Sequence, residues 1–233
     1  MTDFSTLAGR PTKITARGFG WTHAGRTQPA LADIDLVIEP GERVLLCGDS
    51  GSGKSTFLAA IAGVLGSDEE GTRTGEILLE DSTGAVEEPG HSIPVGLVLQ
   101  DPDSQVISAR VGDDIAFGCE NLAYPREEIW RRVAAAKDLV GPFVDMDFPT
   151  ERLSGGQKQR LALAGVIAMG AGVVLLDEPT ANLDPAGARD VVRAVSALVE
   201  ETGATLVVIE HQHTAWEGVL DRAVELAHGR IVA

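Results

Sequence analysis

The chain has 233 residues, enough for one compact domain or for a domain with an inserted subdomain. Apolar residues make up 44% and aromatic ones only 4%, so the expected core is aliphatic. A net charge of −16 argues against a broad nucleic-acid surface, which would be basic, and no nucleic-acid partner is expected.

Residues 13–38 contain alternating apolar and polar side chains, clearest at Ile34, Leu36 and Ile38, and predict antiparallel strands. Residues 42–47 form a short apolar run suited to a buried strand. It leads into Gly48-Asp49-Ser50-Gly51-Ser52-Gly53-Lys54-Ser55-Thr56, which fits the phosphate-loop pattern G-x-x-x-x-G-K-[ST], and then into a helix over 56–62. Glycines let backbone N–H groups turn inward around an anion, and the helix N-terminus adds partial positive charge. Lys54 can then reach the β- and γ-phosphates of a nucleotide, and the Ser55 hydroxyl can ligate Mg²⁺. Further strands are expected over 75–80 and 95–100, the second ending in Gln100. The acidic clusters at 68–70 and 87–88 read as solvated loops.

From about 101 to 165 the pattern turns helical. Residues 113–122 carry apolar side chains at 115, 116, 117 and 119, and Pro125 opens a second helix. Ser154 is a good N-cap for a third. Strands return at 173–176 and 204–209, with a helix from Asp184 to about residue 201 between them. Four apolar residues in a row at 173–176 predict burial on both faces, as in a parallel sheet. Ligands of such sheets bind at the carboxyl ends of strands, where Asp177 and Glu178 fall. Asp177 would hold Mg²⁺, and Glu178 would orient or polarise a water. Taken alone, the acidic pair could equally cap the strand for solubility. The two cysteines, Cys47 and Cys119, lie far apart, lack metal-site spacing and are expected to be free thiols.

Leu153-Ser154-Gly155-Gly156-Gln157-Lys158-Gln159-Arg160 resembles the signature of the ATP-binding-cassette (ABC) ATPases. The phosphate loop upstream and the Asp-Glu strand downstream stand in that family's order. The resemblance implies an α/β P-loop NTPase cassette, with ATP and Mg²⁺ as ligands. Its RecA-like core and antiparallel β-subdomain would span about 1–100 and 166–233, and its helical subdomain about 101–165. Several residues take expected roles on the same basis. Gln100 matches the Q-loop glutamine, next to catalysis and Mg²⁺. Ala181-Asn182-Leu183-Asp184 matches the D-loop, and His211 the switch histidine. Phe19-Gly20-Trp21 matches the A-loop, so Trp21 would stack on adenine, with a packed core residue as the alternative. Ser154, Gly155, Gly156 and Gln157 would act in trans, on ATP bound to a second cassette. Two positions depart from the commonest pattern. The D-loop has Ala-Asn where Ser-Ala is frequent, and Glu210 precedes His211 where a small or hydroxyl residue is common.

Residues 100–105, with Gln100 and Gln105, and the stretch Asp113-Asp114-Ile115-Ala116-Phe117-Gly118 look like the energy-coupling-factor (ECF) importers of vitamins and transition-metal ions. This implies a second ABC ATPase, identical or related, together with a transmembrane coupling protein and a substrate-binding membrane protein. The chain would sit at the cytoplasmic face of a bacterial or archaeal membrane through those partners. Met1 to Ser5 lack signal-peptide character, and no run reaches the ~18 apolar residues of a membrane span. With the last expected strand near 224–226, a C-terminal regulatory domain is expected to be absent. Two alternatives remain open: a conventional ABC importer, and a non-transport ATPase acting on nucleic acid or complex assembly.

Overall fold

A computed structural model describes residue 7 and residues 9–66, 70–141, 144–181, 183–210 and 213–232. The apolar runs become the strands of a six-stranded sheet. They are β3 (Arg43–Cys47), β6 (Val95–Val98), β7 (Val173–Asp177), β8 (Thr205–Ile209), β9 (Arg222–Ala227) and β10 (Arg230–Val232), with spatial order β10-β9-β3-β8-β7-β6. All neighbours are parallel except β10, which turns back on β9. A second sheet is antiparallel, ordered β2-β1-β4-β5, from β1 (Thr12–His23), β2 (Leu31–Ile38), β4 (Gly71–Asp81) and β5 (Val86–Glu87).

Alternation along the central strands assigns them to two cores. Val173, Leu175, Val207 and Ile209 face one core, shared with helix α1 (Lys54–Ala62) and the inner face of the antiparallel sheet. Val174, Leu176, Leu206 and Val208 face the other, shared with α2 (Val111–Asn121), α3 (Arg126–Ala136), α4 (Gly155–Met169) and α5 (Pro185–Thr202). Burial on both faces is why these strands read as unbroken apolar runs. α5 lays Val191, Val195, Leu198 and Val199 against its core. Asp184 starts it by accepting from the Gly187 N–H, and Gly203 ends it at φ 70°.

The end of one strand and the burial along one helix differ from the sequence reading for visible reasons. The strand expected to run to Gln100 stops at Val98. Beyond it, the Gln105 side chain takes both backbone groups of Leu99, accepting from its N–H at 2.8 Å and donating to its carbonyl at 3.0 Å. An amide side chain thus stands in for the next ladder partner. In α2 the apolar residues divide: Ile115, Ala116 and Cys119 are buried, while Phe117 is 39% exposed. No described helix is long and apolar enough to cross a membrane.

Candidate functional site

β3 delivers the chain into a turn whose backbone only glycine tolerates. Gly48, Gly51 and Gly53 have φ of 137°, 79° and 106°. A side chain at Gly48 would also meet the Leu226 carbonyl at 2.0 Å, so β9 presses directly on the loop. The loop closes through Ser52 N–H to the Asp49 carbonyl at 3.1 Å, and Gly229 N–H bonds the Ser52 carbonyl at 3.0 Å. α1 then begins at Lys54, with no side-chain cap on its first N–H groups. Uncapped donors at a helix start are an anion-binding arrangement. Lys54 is 7% exposed, and its Nζ donates to the carbonyls of Gly48 at 2.8 Å and Asp49 at 2.9 Å. The ammonium therefore folds back over the loop it belongs to. The Ser52 hydroxyl is buried with no protein partner.

The acidic strand arrives from the next-but-one position in the sheet. Asp177 ends β7 with the Ser55 hydroxyl beside its carboxylate. Burial raises the Asp177 pKa above the ordinary carboxylate value, the Ser55 hydroxyl pulls it down, and the neighbouring Glu178 charge raises it. Glu178 follows at φ 47°, a left-handed conformation rare for a non-glycine residue. Its N–H still bonds the Ile209 carbonyl at 3.0 Å, continuing the β7–β8 ladder, while the turn re-aims its side chain. Gln100 Nε2 donates to Glu178 Oε2 at 3.0 Å. Lys54, Ser55, Thr56, Gln100 and Glu178 line one cleft of about 280 Å³, with Ser50, Gly51, Gly53 and Ala30 along its rim. Ser55, Asp177 and Gln100 offer a hydroxyl, a carboxylate and an amide oxygen, a hard all-oxygen set that fits Mg²⁺ with retained waters.

Other expected site residues lie elsewhere. Ser154 caps α4 in a reciprocal capping box: its Oγ accepts from Gln157 N–H at 3.3 Å, and its own N–H donates to Gln157 Oε1 at 2.9 Å. None of residues 154–157 lines the cleft. Asp184 is the exposed N-cap of α5. His211 and Asn182 fall outside the described residues.

Trp21 does not line that cleft. It is 5% exposed and packed in the core between α1 and the antiparallel sheet, and it borders a separate recess of about 230 Å³ together with Gly63, Arg73 and Pro89. Its Nε1 donates to His23 Nδ1 at 3.1 Å. A Cβ at Gly71 would sit 2.3 Å from its ring, so the ring fills the space that glycine leaves. Phe19, Gly20 and Trp21 are buried in succession, across a register shift in the β1–β2 pairing. Sequence reasoning missed Ala30 and Gly229 at the loop, which arrive only through long-range backbone contacts. It flagged Glu210 only as an unusual neighbour of His211. In the fold Glu210 is 5% exposed and accepts hydrogen bonds from Thr180 N–H at 3.2 Å and from the Thr180 hydroxyl.

A family model described as "ABC transporter" matches residues 31–181. The chain is 39% identical over 213 residues to the energy-coupling factor transporter ATP-binding protein EcfA1 of Caldanaerobacter subterraneus subsp. tengcongensis, covering 89% of this chain and 73% of that one. It is 38% identical over 222 residues to a Methanosarcina acetivorans protein provisionally named an ABC transporter ATP-binding protein, covering 95% of this chain but 35% of the relative. This chain thus spans little more than a third of the length of some curated relatives it matches. Among solved structures, cbiO1 from Clostridium perfringens, described as part of the ABC transporter complex cbiONQ, superposes with a TM-score of 0.77 at 31% identity. That match covers 94% of this chain and 86% of cbiO1. The dimeric ATP-binding cassette MJ0796, bound to ADP and Pi, gives a TM-score of 0.75 at 23% identity over 95% of this chain and 97% of its own, a likeness of fold. With a phosphate loop, an acidic strand end and a glutamine converging on one cleft, and with these relatives, the chain belongs to the ABC transporter family as an ATP-binding cassette.

Proposed function

We propose that this chain binds and hydrolyses ATP with Mg²⁺, and that it powers import of a small solute, a vitamin or transition-metal ion, through separate ECF-type membrane proteins. The observation that carries the hydrolytic part is the meeting of Lys54, Ser55, Gln100 and Glu178 in one cleft, with Gln100 Nε2 on the Glu178 carboxylate and Asp177 beside Ser55. The backbone N–H groups of the loop and the α1 N-terminus hold the phosphates. Lys54 exchanges its carbonyl contacts for phosphate oxygens. Ser55, Asp177 and Gln100 hold Mg²⁺, which neutralises charge on the phosphates when bound. Glu178 orients and polarises the attacking water, with Gln100 fixing its carboxylate and His211 serving as the switch histidine.

Ser154, Gly155, Gly156 and Gln157 present a helix N-terminus to ATP held by a second cassette, and Asp184 lies at that junction. Hydrolysis then loosens the pair, because ATP favours the closed state only while both sets of donors hold it. The likeness to EcfA1 and to cbiO1 of cbiONQ supports the ECF subtype, and with it a coupling protein and a substrate-binding membrane protein as partners. Such partners would hold the chain at the cytoplasmic face of the membrane.

Glu178→Gln is the direct test, since it keeps the shape and removes the charge. It is expected to bind ATP at least as well as wild type and to lose turnover by about 10²–10⁴-fold in a phosphate-release assay. With its native partner cassette it should accumulate as an ATP-bound pair by light scattering. Near-wild-type turnover would remove Glu178 from the chemistry. Affinity purification of the intact complex from membranes tests the subtype: paired permease subunits with no small substrate-capture protein would point to a conventional importer.

A further inference from the structure

We propose that Glu210 is a positioning residue that ties the end of β8, immediately before His211, to the turn that follows Glu178. The inference rests on the hydrolytic reading above and adds a mechanical link that the reading does not supply.

The geometry begins with strain at Glu178. Its φ of 47° costs free energy and persists only where the surroundings over-determine it. From one side the β7–β8 ladder holds it, through its N–H on the Ile209 carbonyl at 3.0 Å. From the other side the chain continues through Pro179 to Thr180, which is 8% exposed. There the Glu210 carboxylate accepts both Thr180 donors, the backbone N–H at 3.2 Å and the hydroxyl. In this buried place little water competes for these hydrogen bonds. Glu178 is thus clamped before and after by two consecutive residues of one strand end, Ile209 and Glu210.

The clamp continues outward. Ala181 N–H bonds the Glu178 carbonyl at 3.2 Å, and Leu183 N–H bonds the Thr180 carbonyl at 3.2 Å. Leu183 in turn lies against the signature helix, 3.3 Å from where a Cβ on Gly156 would stand. Displacement of the β8 end therefore pulls on Thr180, on the seat of Glu178 and on the turn that touches the signature. A small or hydroxyl residue at position 210 could not reach Thr180 in this way. In this chain the segment leading into His211 and the D-loop are expected to move as one body.

The test compares wild type with Glu210→Ala, Glu210→Gln and Thr180→Val in the full-length protein with the partner that supports turnover. kcat and KM for ATP with Mg²⁺ are measured well below the unfolding midpoint of each variant. Misplacing a catalytic group by an ångström costs about 10²-fold, so Glu210→Ala should lower kcat by roughly 10- to 100-fold while KM changes little. Glu210→Gln keeps an acceptor oxygen and should restore most of kcat. Thr180→Val keeps the shape and the N–H but loses the hydroxyl, and should fall between the two. Wild-type kcat in Glu210→Ala, or Glu210→Gln as impaired as Glu210→Ala, overturns the proposal. If Glu210→Ala does not fold, Thr180→Val decides, and wild-type kcat there overturns it. The Glu178→Gln control separates the failures. If it turns over like wild type, the hydrolytic reading has failed; if it is dead while Glu210→Ala is active, only the link has.

Discussion

Trp21 and Lys54 show the same kind of sequence signal in two different surroundings. Lys54 comes at the close of a motif whose glycines leave its backbone few options, and its Nζ lands on the loop carbonyls of Gly48 and Asp49. Trp21 was assigned by its position after Phe19 and Gly20, and a large aromatic near a ligand site can serve packing as readily as stacking. The packing role is favoured by the glycine at position 71 on the neighbouring strand, whose missing Cβ makes room for the ring. No local pattern around Trp21 announces that partner. Trp21→Ala is therefore expected to cost about 3–5 kcal/mol of stability, the range for deleting a large buried aromatic, measured by urea unfolding. ATP should leave Trp21 emission unchanged when Trp130 and Trp216 are replaced by phenylalanine. A nucleotide-dependent shift of that emission, with unfolding close to wild type, would return Trp21 to the adenine.

Among the elements, the central strands were legible because burial on both faces leaves no room for a polar residue between Val173 and Leu176, or between Leu206 and Ile209. The helices after Ser154 and Asp184 were legible from their caps, and both caps form. Less legible were ends set by side chains from a distance. Gln105 terminates β6 by bonding Leu99, and no period in the sequence carries that information. The hairpin after β4 is instead closed by a local side chain. Asp81 closes it, with Oδ1 accepting from Thr83 N–H at 2.8 Å, from Ala85 N–H at 3.1 Å and from the Thr83 hydroxyl at 2.5 Å. Arg10 adds a contact to Oδ2 at 3.1 Å. The Thr83 hydroxyl first, then the backbone N–H groups and Arg10, hold the Asp81 pKa down to about 2 against desolvation. A carboxylate with a depressed native pKa stabilises the fold above its unfolded pKa, and that contribution fades as pH falls through the native value. Asp81→Asn should accordingly be less stable than wild type at neutral pH. The gap should close progressively from about pH 4 downward, where the unfolded carboxylate begins to protonate. Parallel thermal melts across that range check it, and a gap independent of pH would assign the effect to lost hydrogen-bond geometry alone.

At the scale of the whole molecule, the cleft and the signature belong to one chain but not to one site. Residues 154–157 do not line the cleft, and Gly155 offers a physical reason to look outside the chain for what they serve. Glycine at the start of a helix gives up roughly 1 kcal/mol against alanine, so its use there needs a cause. Within the chain there is none: Gly155 has no left-handed φ, and a Cβ built on it meets nothing within 4 Å. Its own fold would accept a side chain, and the space it leaves is open to something that docks from outside. If that something is ATP on a second cassette, each composite site takes its loop from one chain and its signature from the other. Lys54→Ala and Gly155→Glu should then each abolish turnover alone. Mixed in equal amounts and allowed to exchange, two copies of this chain form mutant pairs in which one site carries both defects and the other carries none. With free exchange and independent sites, about a quarter of wild-type turnover should return, because half the pairs are mixed and each retains one of two sites. Where the native pair joins this chain to a related one, the two substitutions are placed one on each partner, at the corresponding positions, and one intact site survives per pair. Phosphate release measures the recovery, and light scattering confirms that mixed pairs have formed. Pairs that form with no recovered turnover would mean that each chain needs its own signature, and the shared site would have to be abandoned.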